Sequence, residues 1–159
     1  MSGDSPGKAP RQFVDANVLV YSIDPSAGIK AQKAKDLLEE LWEERIGCLS
    51  LQILQEFFVS ITKKLEFPLS APEAAKKVAS FTEWILHVPD KSDLLAAIEI
   101  HQDLRVSFWD AMVIQSARRL GCRVLWSEDL NHGQTYAGVT VRDPFRDTVM
   151  EEAPYGAGA

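Results

Sequence analysis

Apolar positions recur along the 159-residue chain in two periods. Short apolar-rich runs at 12–15, 47–50, 86–88, 122–127 and 139–142 read as buried strands. The second half of FVDANVLVY, residues 18–21, reads as the exit from the first strand. Between the runs the spacing changes to three and four. Ala31, Ala34, Leu37, Leu38, Leu41 and Trp42 form one stripe of a helix over 29–45. Leu51, Leu54, Phe57, Phe58, Ile61 and Leu65 do the same over 51–65. Further helices are predicted over 72–85, where Pro72 suits a first turn, over 92–104 from Ser92, and over 109–120, stopped by Gly121. Short strands alternating with helices predict an α/β domain whose central parallel sheet, of four to five strands, is covered on both faces. There is no repeat, insert or long linker. Residues 12–147 form one domain, with 1–11 expected as a disordered lead and 148–159 as a flexible tail.

One residue breaks the first run. Asp15 stands between Val14 and Val18, and a buried unpaired carboxylate costs several kcal/mol or takes up a proton. In sheets of this kind ligands bind at the carboxyl ends of the strands, which gives Asp15 a place and predicts company. Asp129 follows the strand at 122–127, with Glu128 before it. Successive residues of an extended chain face opposite sides, so at most one of the two reaches a shared site, and spacing leaves open which. Asp110 opens the last helix; Ser107 and Asp110 fit a capping box, yet Phe108, Trp109, Met112 and Val113 enclose the acid. Glu56 falls opposite the apolar stripe of its helix, on a solvated face or in a cleft.

Each acid has an ordinary explanation alone, Asp15 as the cap of a turn helped by Asn17. Gathered, they do not. Two carboxylates ~4 Å apart repel by roughly 4 kcal/mol at an effective dielectric of 20. A group of them needs protons or a hard divalent cation, and Mg²⁺ or Mn²⁺ is the natural occupant. Zinc is disfavoured, because His87, His101 and His132 are scattered and read as surface or core histidines.

Composition changes the picture in few places. With 46% hydrophobic and 25% charged residues the chain suits one globular domain. Cys48 and Cys122 match no ligand spacing and read as reduced core thiols of a cytoplasmic protein. No apolar run reaches the roughly 18 residues of a membrane span, and the first twelve residues lack the apolar stretch of a secretory signal. A net charge of −6 counts against a nucleic-acid partner unless the acids are gathered on cations. Lys63, Lys64, Lys76, Lys77, Arg118, Arg119 and Arg123 are candidates for phosphate contact, though bases near helix ends also complement the dipole. Tyr21, Trp109 and Tyr136 are candidates to stack on a base, with core packing the stronger expectation for Trp109.

Four blocks carry a resemblance: FVDANVLVY, LQILQEFFVSITKK, VSFWDAMVIQSARRLG and VLWSEDLNHG. In this order, over residues 12–145, they resemble the PIN-domain nucleases, which include the VapC-type toxins of toxin–antitoxin pairs. The resemblance implies a three-layer α/β/α fold and an acidic metal site of Asp15, Glu56, Asp110 and Asp129, thereby selecting Asp129 over Glu128. It implies Asp15, Asp110 and Asp129 as metal ligands, with Glu56 as an outer ligand or the residue that positions water. Asn17 and Ser107 match supporting polar positions. The implied reaction is hydrolysis of an RNA phosphodiester, with Mg²⁺ or Mn²⁺ activating water; a homodimer and an antitoxin partner are further implications. Two alternatives stand beside it. A receiver or phosphotransfer domain would want a lysine near the last acid, which VLWSEDLNHG lacks, and a phosphatase a second Asp where Asn17 stands. A catalytically silent interaction module would keep the fold and only bind a partner.

Overall fold

The computed structural model of the chain describes residues 9–146; the tail expected over 148–159 and most of the expected lead lie outside them. Of that lead, Ala9 packs against the core and the Arg11 guanidinium donates to the Leu120 carbonyl at 3.1 Å.

Strand β1 (Gln12–Val14) stops at Asp15, whose extended backbone and carboxylate cap helix α1 (Ala16–Ile23) by accepting the Ala16 N–H at 2.8 Å. Residues 18–21 are therefore helical, not the exit of a strand. Four consecutive apolar residues satisfy either period, and the cap decides between them. A short 3₁₀ turn (Pro25–Ala27) leads into α2 (Ile29–Glu44), which ends on Arg45 at φ 60°. Strand β2 (Gly47–Ser50) hands over directly to α3 (Leu51–Lys63), capped by the Ser50 hydroxyl. Helix α4 (Ala71–Phe81) starts with a capping box of Ser70 and Glu73. After β3 (Ile85–His87), α5 (Lys91–Leu104) begins with a second box of Asp90 and Asp93, slightly ahead of the expected Ser92. Helix α6 (Phe108–Arg119) is capped by Ser107. Strands β4 (Val124–Trp126), β5 (Thr135–Tyr136) and β6 (Val139–Arg142) complete the described chain.

The sheet has six strands in the order β3-β2-β1-β4-β6-β5. Five are parallel, as the alternation predicts; β5 is an added two-residue strand, antiparallel to β6 and too short to leave a periodic signal. Helix α1 packs on α2 and α3, and α3 on α4, while α5 and α6 pack together. The fold is thus three-layered, with fully buried Phe13, Leu49, Leu125 and Val141 from the strands at its centre. Gly47 has one physical reason: a Cβ there would stand 2.2 Å from the Trp84 ring. Cys48 and Cys122 are buried free thiols.

Two aromatic expectations reverse. Trp109 is 61% exposed rather than core, because it follows the N-cap on the outer side of α6. Tyr136 is buried where β5 meets β6, so it offers no ring to a ligand. His87 is a satisfied core histidine, bonded to Ser116 and Asp93, and Arg119 is committed to the same Asp93. No helix among the described residues is long and apolar enough to cross a membrane.

Candidate active site at the strand ends

Strands β1 and β4 run parallel with Val14 opposite Trp126, so the residues that follow each strand emerge side by side at the carboxyl edge. The Asp15 N–H donates to the Trp126 carbonyl at 2.9 Å, extending the ladder to the acid itself. Asp15 is 6% exposed. One oxygen caps α1; the other accepts the Ser127 hydroxyl at 2.8 Å. Burial, helped by the negative charges of Asp129 and Glu56 and opposed by those two hydrogen bonds, pushes its pKa up to about 7.

Ser127 is wholly buried and also accepts the Asp129 N–H at 3.1 Å. One hydroxyl thus joins the carboxylate of Asp15 to the main chain of Asp129. Asn17, in the first turn of α1, donates to the Asp129 carboxylate at 3.0 Å. Glu128 turns elsewhere: its two oxygens take the Tyr21 hydroxyl, at 2.8 Å, and the Lys30 ammonium. The alternation that left the Glu128–Asp129 choice open is therefore resolved into two different sets of partners.

Glu56 is half-buried on α3 and accepts the Gln52 side-chain amide at 3.0 Å. The same amide lies 3.4 Å from the Trp109 carbonyl, tying α3 to the first turn of α6. Asp110 stands in that turn, half-buried, with its N–H on the Ser107 hydroxyl at 3.1 Å. Ser107 therefore sets the start of α6 through the main chain. Only the Ser107 half of the expected capping box forms: the Asp110 N–H donates to the Ser107 hydroxyl, without the reciprocal bond from the Ser107 N–H to the Asp110 carboxylate.

An open cavity of about 660 Å³ lies between α1 and α3, with Asn17, Tyr21, Glu56 and Asp129 in its wall; Asp15 and Asp110 are not among the residues that line it. Among the described residues Lys64 is the one cation in its wall, and of the basic candidates it alone lines this space. Among the described residues no three acids, histidines or cysteines lie close enough to make a ready-made metal site. The donor chemistry nonetheless fits a hard cation: it is carboxylate and amide oxygen throughout, and the buried Asn17 Oδ1 and Gln52 Oε1 atoms lack any hydrogen-bond partner. Ser127, Gln52 and Lys30 were not singled out by sequence reasoning. Only Ser127 left a trace there, as the polar residue closing an apolar strand.

The PIN domain family model matches residues 13–137. No curated protein matches the chain. Among solved structures, a DNA-bound VapBC from Salmonella typhimurium is similar with a TM-score of 0.62 at 16% identity, over 86% of this chain and 99% of that one. A toxin–antitoxin complex from Klebsiella pneumoniae gives 0.61 at 17%, over 84% and 97%. Mycobacterium tuberculosis VapC20, described as a sarcin–ricin loop cleaving toxin, gives 0.56 at 19%, over 74% and 89%. At these identities the likeness is one of fold.

Proposed function

Since the chain belongs to the PIN domain family, we propose that it is a ribonuclease that hydrolyses RNA phosphodiester bonds with a divalent cation, Mg²⁺ or Mn²⁺, held by Asp15, Asp110 and Asp129. The observation that carries this reading is the buried Asp15 carboxylate, raised to about 7 in the company of Asp129 and Glu56. A folded chain that keeps such a group near neutrality has a use for the positive charge that would discharge it. When bound, the cation would lower the pKa of water and polarise the phosphoryl group.

This chain's own residues do the rest. Ser127 holds the Asp15 carboxylate in one orientation and anchors the main chain of Asp129. Asn17 fixes the Asp129 carboxylate, and Gln52 fixes that of Glu56. Glu56, fastened by one oxygen on the cavity wall, orients the attacking water and takes its proton. Asp110 completes the ligand set from the first turn of α6. Lys64, which makes no ion pair among the described residues, meets a flanking phosphate. Ordering these acids in advance is what lowers the barrier, because no side chain need reorient as charge develops.

In the same reading the protein is the toxin of a toxin–antitoxin pair, acting in the cytoplasm as a homodimer and silenced by an antitoxin. The toxin–antitoxin complexes among its structural neighbours support that role. The test is cleavage of structured and unstructured RNA by purified protein freed of metal and partner, with EDTA, Mg²⁺ and Mn²⁺ compared. Cleavage is expected only with metal. Asp110→Asn should lower it by roughly 10²- to 10³-fold, on the scale of lost electrostatic stabilisation, while the helix cap and melting temperature persist. Metal-independent cleavage, or cleavage undiminished in the variant, refutes the assignment. A protein that binds a partner yet cuts no RNA under either metal is the silent interaction module.

A further inference from the structure

The loop after β4 is held from two sides. On one, the Ser127 hydroxyl ties it to Asp15. On the other, Glu128 accepts the Tyr21 hydroxyl at 2.8 Å and the Lys30 ammonium. Lys30 also lies 5.0 Å from the Tyr21 ring centre and 5.3 Å from that of Phe145, and Tyr21 meets Phe145 edge-on at 5.0 Å. Helices α1 and α2 thus meet this loop at one carboxylate outside the acid group, and Phe145 packs against both of its partners.

The arrangement is more than a surface ion pair. Such pairs contribute little because long side chains stay free to reorient. Here both oxygens of Glu128 are taken by different partners, its side chain is 25% exposed, and the lysine, 40% exposed, lies against two rings that meet each other edge-on. That fixes the Glu128 rotamer, and with it the peptide leading to Asp129. Asp129 needs such support. It is exposed, and among the described residues its carboxylate has a single hydrogen-bond donor, Asn17. Its direction is therefore set by that one bond together with the backbone that carries it.

We propose that Glu128, fastened by Tyr21 and Lys30, is a positioning residue for Asp129 that sets the divalent-cation affinity of the site without touching the cation; this rests on the metal reading above. Outer residues that orient metal ligands commonly change affinity by 10- to 100-fold when removed, and the lower end suits a tether acting through one peptide bond.

Charge and position can be told apart by sign. Lys30→Met removes a cation from the neighbourhood of the acids. Acting through charge alone, it would tighten binding of Mn²⁺; acting through position, it weakens it. Tyr21→Phe changes no charge and removes only the hydroxyl bond to Glu128. Mn²⁺ binding is measured by calorimetry on the metal-stripped chain, with circular dichroism and melting temperature as controls for folding. The expected result is a dissociation constant raised about tenfold in both variants, well below their melting temperatures, with the double variant no weaker than the worse single one. Unchanged or tighter binding in Lys30→Met, or unchanged binding in Tyr21→Phe, overturns the proposal and leaves the metal reading standing. A wild-type chain that binds no Mn²⁺ overturns both.

Discussion

Replacing Asp15 by Asn should stabilise the metal-free protein, although it removes a residue at the centre of the site. In the folded chain burial carries Asp15 from an ordinary 3.8 to about 7. Its folded pKa is raised, so the folded state holds more protons than the unfolded one between those values, and stability falls as the pH rises from about 4 to 7. At 1.36 kcal/mol for each pKa unit the full penalty, present above pH 7, is about 4 kcal/mol. Asn keeps the acceptor for the Ala16 N–H. It cannot accept the Ser127 hydroxyl as well, and a lost hydrogen bond costs ~1 kcal/mol. The net expectation at pH 8 is a gain of about 2–3 kcal/mol. Urea denaturation in EDTA at pH 5, 6, 7 and 8 measures it, and the difference between wild-type and variant curves isolates Asp15 from all other titrations. The variant should gain little at pH 5 and progressively more up to pH 7, then level off. A variant less stable than wild type at pH 8, or a difference that does not change with pH, refutes the idea that burial holds this carboxylate near neutrality. On the proposed metal reading, saturating Mg²⁺ should reverse the order, because only wild type would keep Asp15 as a ligand.

Two further outcomes follow from packing and charge away from the site. Gly47→Ala forces a Cβ to within 2.2 Å of a Trp84 ring that is itself packed against Trp42 and Phe81; overpacking of that kind costs about 1–3 kcal/mol, read as a lower urea midpoint, and Trp84→Leu in the same chain should recover it. Asp93 is buried, which raises its pKa, but the Asp90 N–H, Gln115, His87 and Arg119 outweigh burial and hold it well below the carboxylate range. A depressed pKa gives stability that is present above about pH 4 and lost on acidification. Asp93→Asn should therefore cost about 3 kcal/mol at pH 7, and the gap to wild type should close as the pH falls from 4 towards 2; a gap constant down to pH 2 sinks this account.

What the sequence determined by itself is what is local. Helix α2 begins where expected and ends one residue early, α3 begins where expected, and β2 and β6 match their expected bounds. Their apolar periods are unambiguous, and Ser50 and Gly121 mark ends through bonds and dihedral angles a few residues away. The parallel sheet follows from alternation of strands and helices, and the acids could be noticed because Asp15 interrupts an apolar run. What needed tertiary structure is what depends on distant partners. The run at 18–21 fits two periods, and it is helical because Asp15 caps it on arriving at the sheet edge. Burial of Trp109 and Tyr136 came out opposite to expectation, because which side of a helix start or edge strand faces solvent is decided by what packs there. The division of labour between Glu128 and Asp129 is set by Tyr21, Lys30 and Asn17, each about a hundred residues away in sequence. Ser127 looks like any strand-end serine until β4 lies beside β1 and its hydroxyl meets Asp15. Periodicity reports how a residue relates to its own element; a site depends on which elements are brought edge to edge.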